Sequence, residues 1–227
     1  TALGRNALAS QNFTSATDSY NVAVGYNAGN NVVTATSNTL IGGLAGDALN
    51  TGSSNVAVGQ AALGAETGGG ANVAVGKSTL AAQNVNSAGY NTAVGHEAGN
   101  DITSGVKNTL IGAIAGDSLT DADFNVAVGY SALSTDTLGS RSVAIGFEAL
   151  TTQNFTTATN SFNICIGYEA GHDITTGQQN VLIGGLAGDK LTDADYNVAV
   201  GLNSLGTDTL GSRSTALGYQ TLPNQNF

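Results

Sequence analysis

Asp117, Asp121 and Asp123, echoed by Asp189, Asp193 and Asp195, gather oxygen donors at short spacing. Hard oxygen ligands of this type suit calcium. The spacing is not that of a helix–loop–helix calcium loop, and the glycine-aspartate nonapeptide of calcium-binding β-rolls is missing. The matching stretch earlier in the chain keeps Asp47 but has Asn50, Thr51 and Ser53 where the later acids would stand. The set reads as solvated turn acids. His96 and His172 have no cysteine or carboxylate at metal-ligand spacing and read as surface residues. Serine and threonine are plentiful, but no histidine recurs with them, so the nucleophile, base and orienting group of a catalytic triad are not assembled. The chain is therefore expected to be non-enzymatic, with no cofactor and no metal. Arg141 and Arg213 follow Asp136 and Asp208 at the same short interval in equivalent loops, a spacing expected to give local ion pairs of about 0–1 kcal/mol at the surface. Asn12-Phe13-Thr14 and Asn154-Phe155-Thr156 fit the N-glycosylation sequon, which matters only in a eukaryotic producer.

The elements that carry these residues repeat. A polar residue, three apolar ones and a glycine recur thirteen times along the chain, as in Asn55-Val56-Ala57-Val58-Gly59. The first glycine is Gly4. The others are Gly25, Gly42, Gly59, Gly76, Gly95, Gly112, Gly129, Gly146, Gly167, Gly184, Gly201 and Gly218. Most gaps are seventeen residues, as from Gly42 to Gly59. One is nineteen, from Gly76 to Gly95, and two are twenty-one, from Gly4 to Gly25 and from Gly146 to Gly167. A fixed short period marks a stacked repeat, with one supersecondary unit per period. The long gaps fall at every fourth glycine, giving four-coil super-repeats at roughly 21–90, 91–162 and 163–227 within a single repeat domain. Both ends lie inside the repeat pattern, so the sequence is expected to be a segment of a longer array.

Positions are counted from the glycine. At −3 and −1 stand pairs such as Val22 and Val24, and at −2 stands a single Ala, Leu or Cys. In a strand these alternate between faces. Both faces are apolar or small, which suits a parallel sheet covered on both sides. One face would fill the coil interior. The other needs a cover, either a second or third copy of the chain or loops of the same chain. Where position −2 is Leu (Leu40, Leu110, Leu182), the position after glycine is small (Gly43, Ala113, Gly185). That correlation predicts a shared packing site, where two bulky groups would cost about 1–3 kcal/mol. The glycine is expected to mark a bend that needs positive φ or close chain approach. A second short extended piece follows, with its apolar side chain at +7 or +9. At −4 stand Asn21, Asn38, Asn55, Asn72, Asn91, Asn108, Asn125, Asn163, Asn180 and Asn197, with Ser142 and Ser214 as exceptions. They read as a hydrogen-bonded amide ladder or as favoured turn residues, two compatible roles.

Composition narrows the partners. The net charge of −10 disfavours nucleic acid and anionic membrane surfaces. No apolar run approaches the length of a membrane span. The lone Cys165 reads as a small buried hydrophobe without a disulfide. The Thr or Asn column at +8, from Asn50 to Asn226, bears some likeness to ice-binding solenoids, but the paired threonine columns of those surfaces occur only at Thr135 with Thr137 and Thr207 with Thr209.

Ser142-Val143-Ala144-Ile145-Gly146 and Asn125-Val126-Ala127-Val128-Gly129 resemble the head repeats of YadA-like trimeric autotransporter adhesins. The longer spelling from Asn125 through Leu133 is also similar to bacteriophage tail-fibre repeats. The likeness runs along the whole chain. It implies a left-handed parallel β-roll, three chains about one axis, and display outside the cell or on a virion. A coil of mostly seventeen residues departs from the adhesin coil, which is usually shorter. The combined expectation is an all-β parallel β-solenoid of about thirteen coils, homotrimeric, serving as a structural segment of an extracellular fibre that attaches to a surface. Its partners are expected to be itself, as trimer or filament, and a cell-surface glycan or protein receptor met by the loops at 9–20, 81–90 and 151–162. A self-polymerising filament and a carbohydrate- or ice-binding solenoid are the alternatives.

Overall fold

The computed structural model describes residues 1–224; Gln225, Asn226 and Phe227 lie outside the described residues. Regular structure there is entirely β, with no helix. One short strand precedes each glycine: β1 (Ala2–Leu3), β2 (Val22–Val24), β3 (Thr39–Ile41), β4 (Val56–Val58), β5 (Val73–Val75), β6 (Thr92–Val94), β7 (Thr109–Ile111), β8 (Val126–Val128), β10 (Val143–Ile145), β12 (Ile164–Ile166), β13 (Val181–Ile183), β14 (Val198–Val200) and β15 (Thr215–Leu217). These thirteen form a single parallel sheet in chain order. The fold is a parallel β-solenoid of about thirteen coils. At the usual strand spacing its sheet is about 60 Å long.

Register never slips. Ala57 faces Ala74 across a coil of ordinary length, and Ala144 faces Cys165 across one of the longest. The extra residues of long coils leave the stack as loops. Two-residue strands β9 (Gly139–Ser140) and β11 (Thr159–Asn160) pair separately beneath one such loop. The second extended piece expected in every coil is a strand only there, with an isolated bridge at Gly70 and Ala88. Elsewhere it is irregular, joined coil to coil by bonds such as Thr103 N–H to Thr120 O and Thr120 N–H to Thr137 O.

The repeated glycine has two reasons to be glycine. Its φ lies between +119° and +146° in all thirteen copies, a region L-residues avoid. At Gly112, as along the column from Gly4 to Gly201, an added Cβ would also strike backbone of the next glycine, well inside van der Waals contact.

The interior is narrow and filled by columns. The side chain at −2 points inward and is fully buried from Ala23 to Ala199, Cys165 included. It meets Ala28, Ala45 and their equivalents at +3, and Val32, Leu49, Ile102, Leu119, Ile174 and Leu191 at +7. Position +4 runs Gly, Gly, Leu, Leu through each super-repeat. Its partner is position −2. A Cβ on Gly46 would meet Leu40 Cδ2 at 2.8 Å, and one on Gly116 would meet Leu110 Cδ2 at 2.8 Å. Where −2 is Ala in the third and fourth coils, Leu63, Leu80, Leu133 and Leu150 occupy the space. This corrects the pairing expected between −2 and +1. Those two do not share a site, because −2 points inward while Tyr26, Tyr130, Phe147 and Tyr168 at +1 are exposed.

Candidate functional site: the outer sheet face and the buried polar columns

Positions −3 and −1 form the outer sheet face. Thirteen copies of Val, Ile, Thr or Leu stack there in two columns, and no loop among the described residues covers them. Ile41, Ile111 and Ile183 are 39%, 41% and 36% exposed although neighbours flank each along its column. The reading in which loops of the same chain supply the cover is thereby corrected. Aromatic rings widen the face on both sides. At +1, Tyr130, Phe147 and Tyr168 stack with centroids 5.5 and 5.4 Å apart and planes within 15°. At −5, cations and rings alternate: Lys107 Nζ lies 4.9 Å from the Phe124 ring centre, Arg141 lies 4.7 Å from Phe124 and 6.0 Å from Phe162, and Arg213 lies 5.5 Å from Tyr196. Such contacts contribute about 0.5–1 kcal/mol each at exposed sites.

This −5 column overturns the expected ion pairs. Arg141 does not meet Asp136. Its Nε donates to Asn160 Oδ1 at 3.0 Å, outside the coil, while the Asp136 carboxylate is fully buried inside it. Asp208 is likewise buried and accepts from Gly211 N–H at 2.9 Å, while Arg213 lies over Tyr196.

All ten −4 asparagines are buried. Each from Asn38 to Asn197, Ser142 and Ser214 included, has its backbone N–H bonded to the side-chain oxygen one coil earlier, as Asn55 N to Asn38 Oδ1 at 2.9 Å and Asn108 N to Asn91 Oδ1 at 2.8 Å. The exception is Asn163, which follows Ser142 across the long coil. The amide nitrogen crosses the coil to a carbonyl further along the chain, as Asn108 Nδ2 to Ala122 O and Asn180 Nδ2 to Ala194 O, both at 2.8 Å. Each such asparagine thus satisfies two backbone groups that the coil buries, except Asn72, whose amide nitrogen donates to Asn55 Oδ1 instead.

Pattern reading missed a second polar column. At +7, where the first two coils of a unit carry Val, Leu or Ile, the third carries Glu66, Asp136 or Asp208 and the fourth Gln83 or Gln153; Gln225, next in that series, lies outside the described residues. Glu66 Oε1 accepts from Gly68 and Gly69 N–H at 3.1 and 2.6 Å, and Oε2 from Val85 N–H at 3.1 Å and Gln83 Nε2 at 3.2 Å. Asp136 repeats this with Gly139 N–H at 3.0 Å, Phe155 N–H at 3.1 Å and Gln153. The glutamines pass the chain on, accepting from Asn91 Nδ2 and Asn163 Nδ2 at 2.8 Å. Burial raises the Asp136 carboxyl above its ordinary range against these stabilising bonds. The pairs Glu66–Gln83 and Asp136–Gln153 sit at the long loops 81–90 and 151–162, where each acid also accepts from a loop backbone N–H, Val85 or Phe155. The strict recurrence of acid then Gln was the available signal.

The acids weighed for calcium do other work. Asp121 Oδ1 accepts from Ser104 Oγ, and Asp123 Oδ1 from Val106 N–H, both at 2.7 Å. Asp193 and Asp195 repeat this with Thr176 Oγ1 and Gln178 N–H at 2.7 Å. No grouping of three or more His, Cys, Asp or Glu able to hold a metal occurs among the described residues. Asp117 and Asp189 are not simply solvated turn acids: each keeps one buried oxygen without a hydrogen-bond partner. Burial, with the charges of Asp101 and Glu97, pushes Asp117 up to about 6. His172 lies between Asp173 (2.6 Å) and Glu148 (3.7 Å), and Lys190 reaches Asp173 at 3.2 Å. His96 is an exposed neighbour of Glu97. Threonines of the +8 column donate along the axis, Thr120 to Thr137 O and Thr192 to Thr209 O at 3.0 Å. Cys165 is buried, with its thiol pushed well above the usual range by desolvation.

No protein-family model, curated protein or solved structure matches this chain.

Proposed function

We propose that this chain is a non-enzymatic structural segment of an extracellular fibre, a phage tail fibre or the head of a trimeric surface adhesin. Three copies with left-handed coils stand parallel about one axis and cover one another's outer sheet faces. The observation that carries the reading is the uncovered apolar face. The strand portion from −3 to −1 is about 10 Å wide and about 60 Å long, hence about 600 Å² per copy before the rings at −5 and +1 are added. With its flanking rings the face approaches the roughly 800 Å² per partner of a standard interface, and exposed apolar patches of several hundred Å² mark association surfaces. Charge favours a parallel, cyclic arrangement. From Gly95 onward one flank carries Lys107, Arg141 and Arg213 at −5 and the opposite flank carries Glu97, Glu148 and Glu169 at +2, while Arg5 and Lys77 stand at +1 in the earlier coils. In a ring of like-oriented copies, the basic flank of one meets the acidic flank of the next.

The work of such a segment is mechanical. Axial ladders resist extension, interior columns hold the cross-section, and the loops at 9–20, 81–90 and 151–162 are left to meet a surface. Sedimentation velocity over a range of concentrations tests the assembly. The expected result is a stable trimer, and the variant combining Ile111→Asp, Val128→Asp and Ile145→Asp is expected to be a monomer with an unchanged circular dichroism spectrum. A wild-type chain that sediments as a well-folded monomer throughout overturns the reading. Rods of unlimited length in electron micrographs would replace it with an end-to-end filament.

A further inference from the structure

The three super-repeats present the same surface three times, and one copy differs. A groove of about 460 Å³ opens in the first unit, lined among others by Asn31, Asn50, Thr51, Gly68 and Asn86, with Val33 and Ala48 as its apolar wall. The second and third units carry bulkier or charged side chains on the equivalent surface. Leu138 and Leu210 stand where the first has Gly68, Asp121 and Asp193 where it has Thr51, and Asp101 and Asp173 where it has Asn31. In those units Ser104 and Thr176 hydroxyls bind the aspartates at 2.7 Å. The first unit lacks the bulky side chain and both acids together.

The geometry points to a binding site in this groove for an uncharged, polyhydroxylated ligand, one or two sugar units of a neutral glycan. Its volume lies within the range of small-ligand sites, about 300–1,000 Å³. Its lining holds no ionisable side chain. Among the described residues the side chains of Asn50, Thr51 and Asn86 make no hydrogen bond, so their amides and hydroxyl offer paired donors and acceptors to vicinal hydroxyls. An anionic ligand has no cation to meet there, in a chain of net charge −10. No residue of the strand columns lines the groove, so it stays open when the outer sheet face is covered. The inference deepens the attachment reading by naming a ligand class, but the groove is built within one chain and does not depend on assembly.

Saturation-transfer NMR on the intact chain tests it, with lactose, maltose and N,N′-diacetylchitobiose as probes and glucuronate as the anionic control. At least one neutral disaccharide is expected to bind at millimolar concentration and glucuronate not to bind. Gly68→Leu restores the side chain that two other units carry, at a position whose added Cβ would lie 3.4 Å from Asn86 Oδ1. It is expected to weaken binding at least about tenfold with the thermal midpoint unchanged. The pair Asn31→Asp and Thr51→Asp, which restores the acids, should do the same. Silence from all three disaccharides, equal binding of glucuronate, or undiminished binding by both variants overturns the inference. The monomeric outer-face variant separates the two readings: it should keep glycan binding even as the trimer is lost.

Discussion

Asp136 shows how one side chain can hold a loop from inside the rod. It is fully buried, and removing its amide partner leaves a carboxylate oxygen without a donor. Gln153→Leu is expected to destabilise by about 1–3 kcal/mol in chemical denaturation. The double variant Asp136→Leu with Gln153→Leu, which copies the apolar side chains at this place in other coils, should recover part of that loss, and the cycle measures the coupling. Asp117 supplies the pH dependence. Its folded value of about 6 lies above the ordinary 3.8. Protonation therefore favours the folded chain: the contribution is complete below 3.8 and lost as pH rises through about 6. Asp47, Asp136 and Asp189 shift in the same direction, all mainly by burial. The thermal midpoint should climb from about pH 8 to about pH 5, and Asp117→Asn should raise it at the alkaline end and flatten the profile. The glycine and asparagine columns were legible because each recurs in nearly every coil. The acid–amide column was not, because a search for apolar side chains at that position steps over it. Composition does not say whether an aspartate in a turn points out, like Asp121, or in, like Asp136.

At the level of the coil, the strand is defined by its two neighbours and by the amide that links them. Asn108→Ala removes the acceptor for Asn125 N–H and the donor for Ala122 O, both in the interior. A loss of about 1–3 kcal/mol is expected, with faster amide exchange between Ala122 and Val126 as the local signature. The three-residue strands were readable from alternation, since Val, Ala, Val before a glycine can sort its faces in one way only. The irregular return path was not. Its residues are held by single axial bonds and by side chains such as Ser104 and Asp121, whose pairing depends on which coil lies next. The correlation between Leu at −2 and a small side chain at +1 was real, but its physical partner was the Gly or Leu at +4. Both vary with the same four-coil period, and a one-dimensional pattern does not distinguish them.

For the whole molecule, stability is a sum over stacked neighbours rather than a property of one centre. Sheet, columns and long loops follow from repetition, which is why the coil stack was readable before any coordinates. The outer face was legible as apolar on sequence grounds, whereas its lack of any cover from the chain's own loops needed coordinates. Gly95 and Gly167 occupy the same phase of successive super-repeats. Excising the stretch from His96 through Gly167 therefore joins Gly95 directly to Tyr168 without breaking any column. The product should fold, and small-angle scattering should find it shorter by about 19 Å, four strand spacings. A gene that duplicates or drops one such block by slippage would change the length of the solenoid in fixed steps. Length could then be tuned by copy number alone, with no compensating substitution elsewhere.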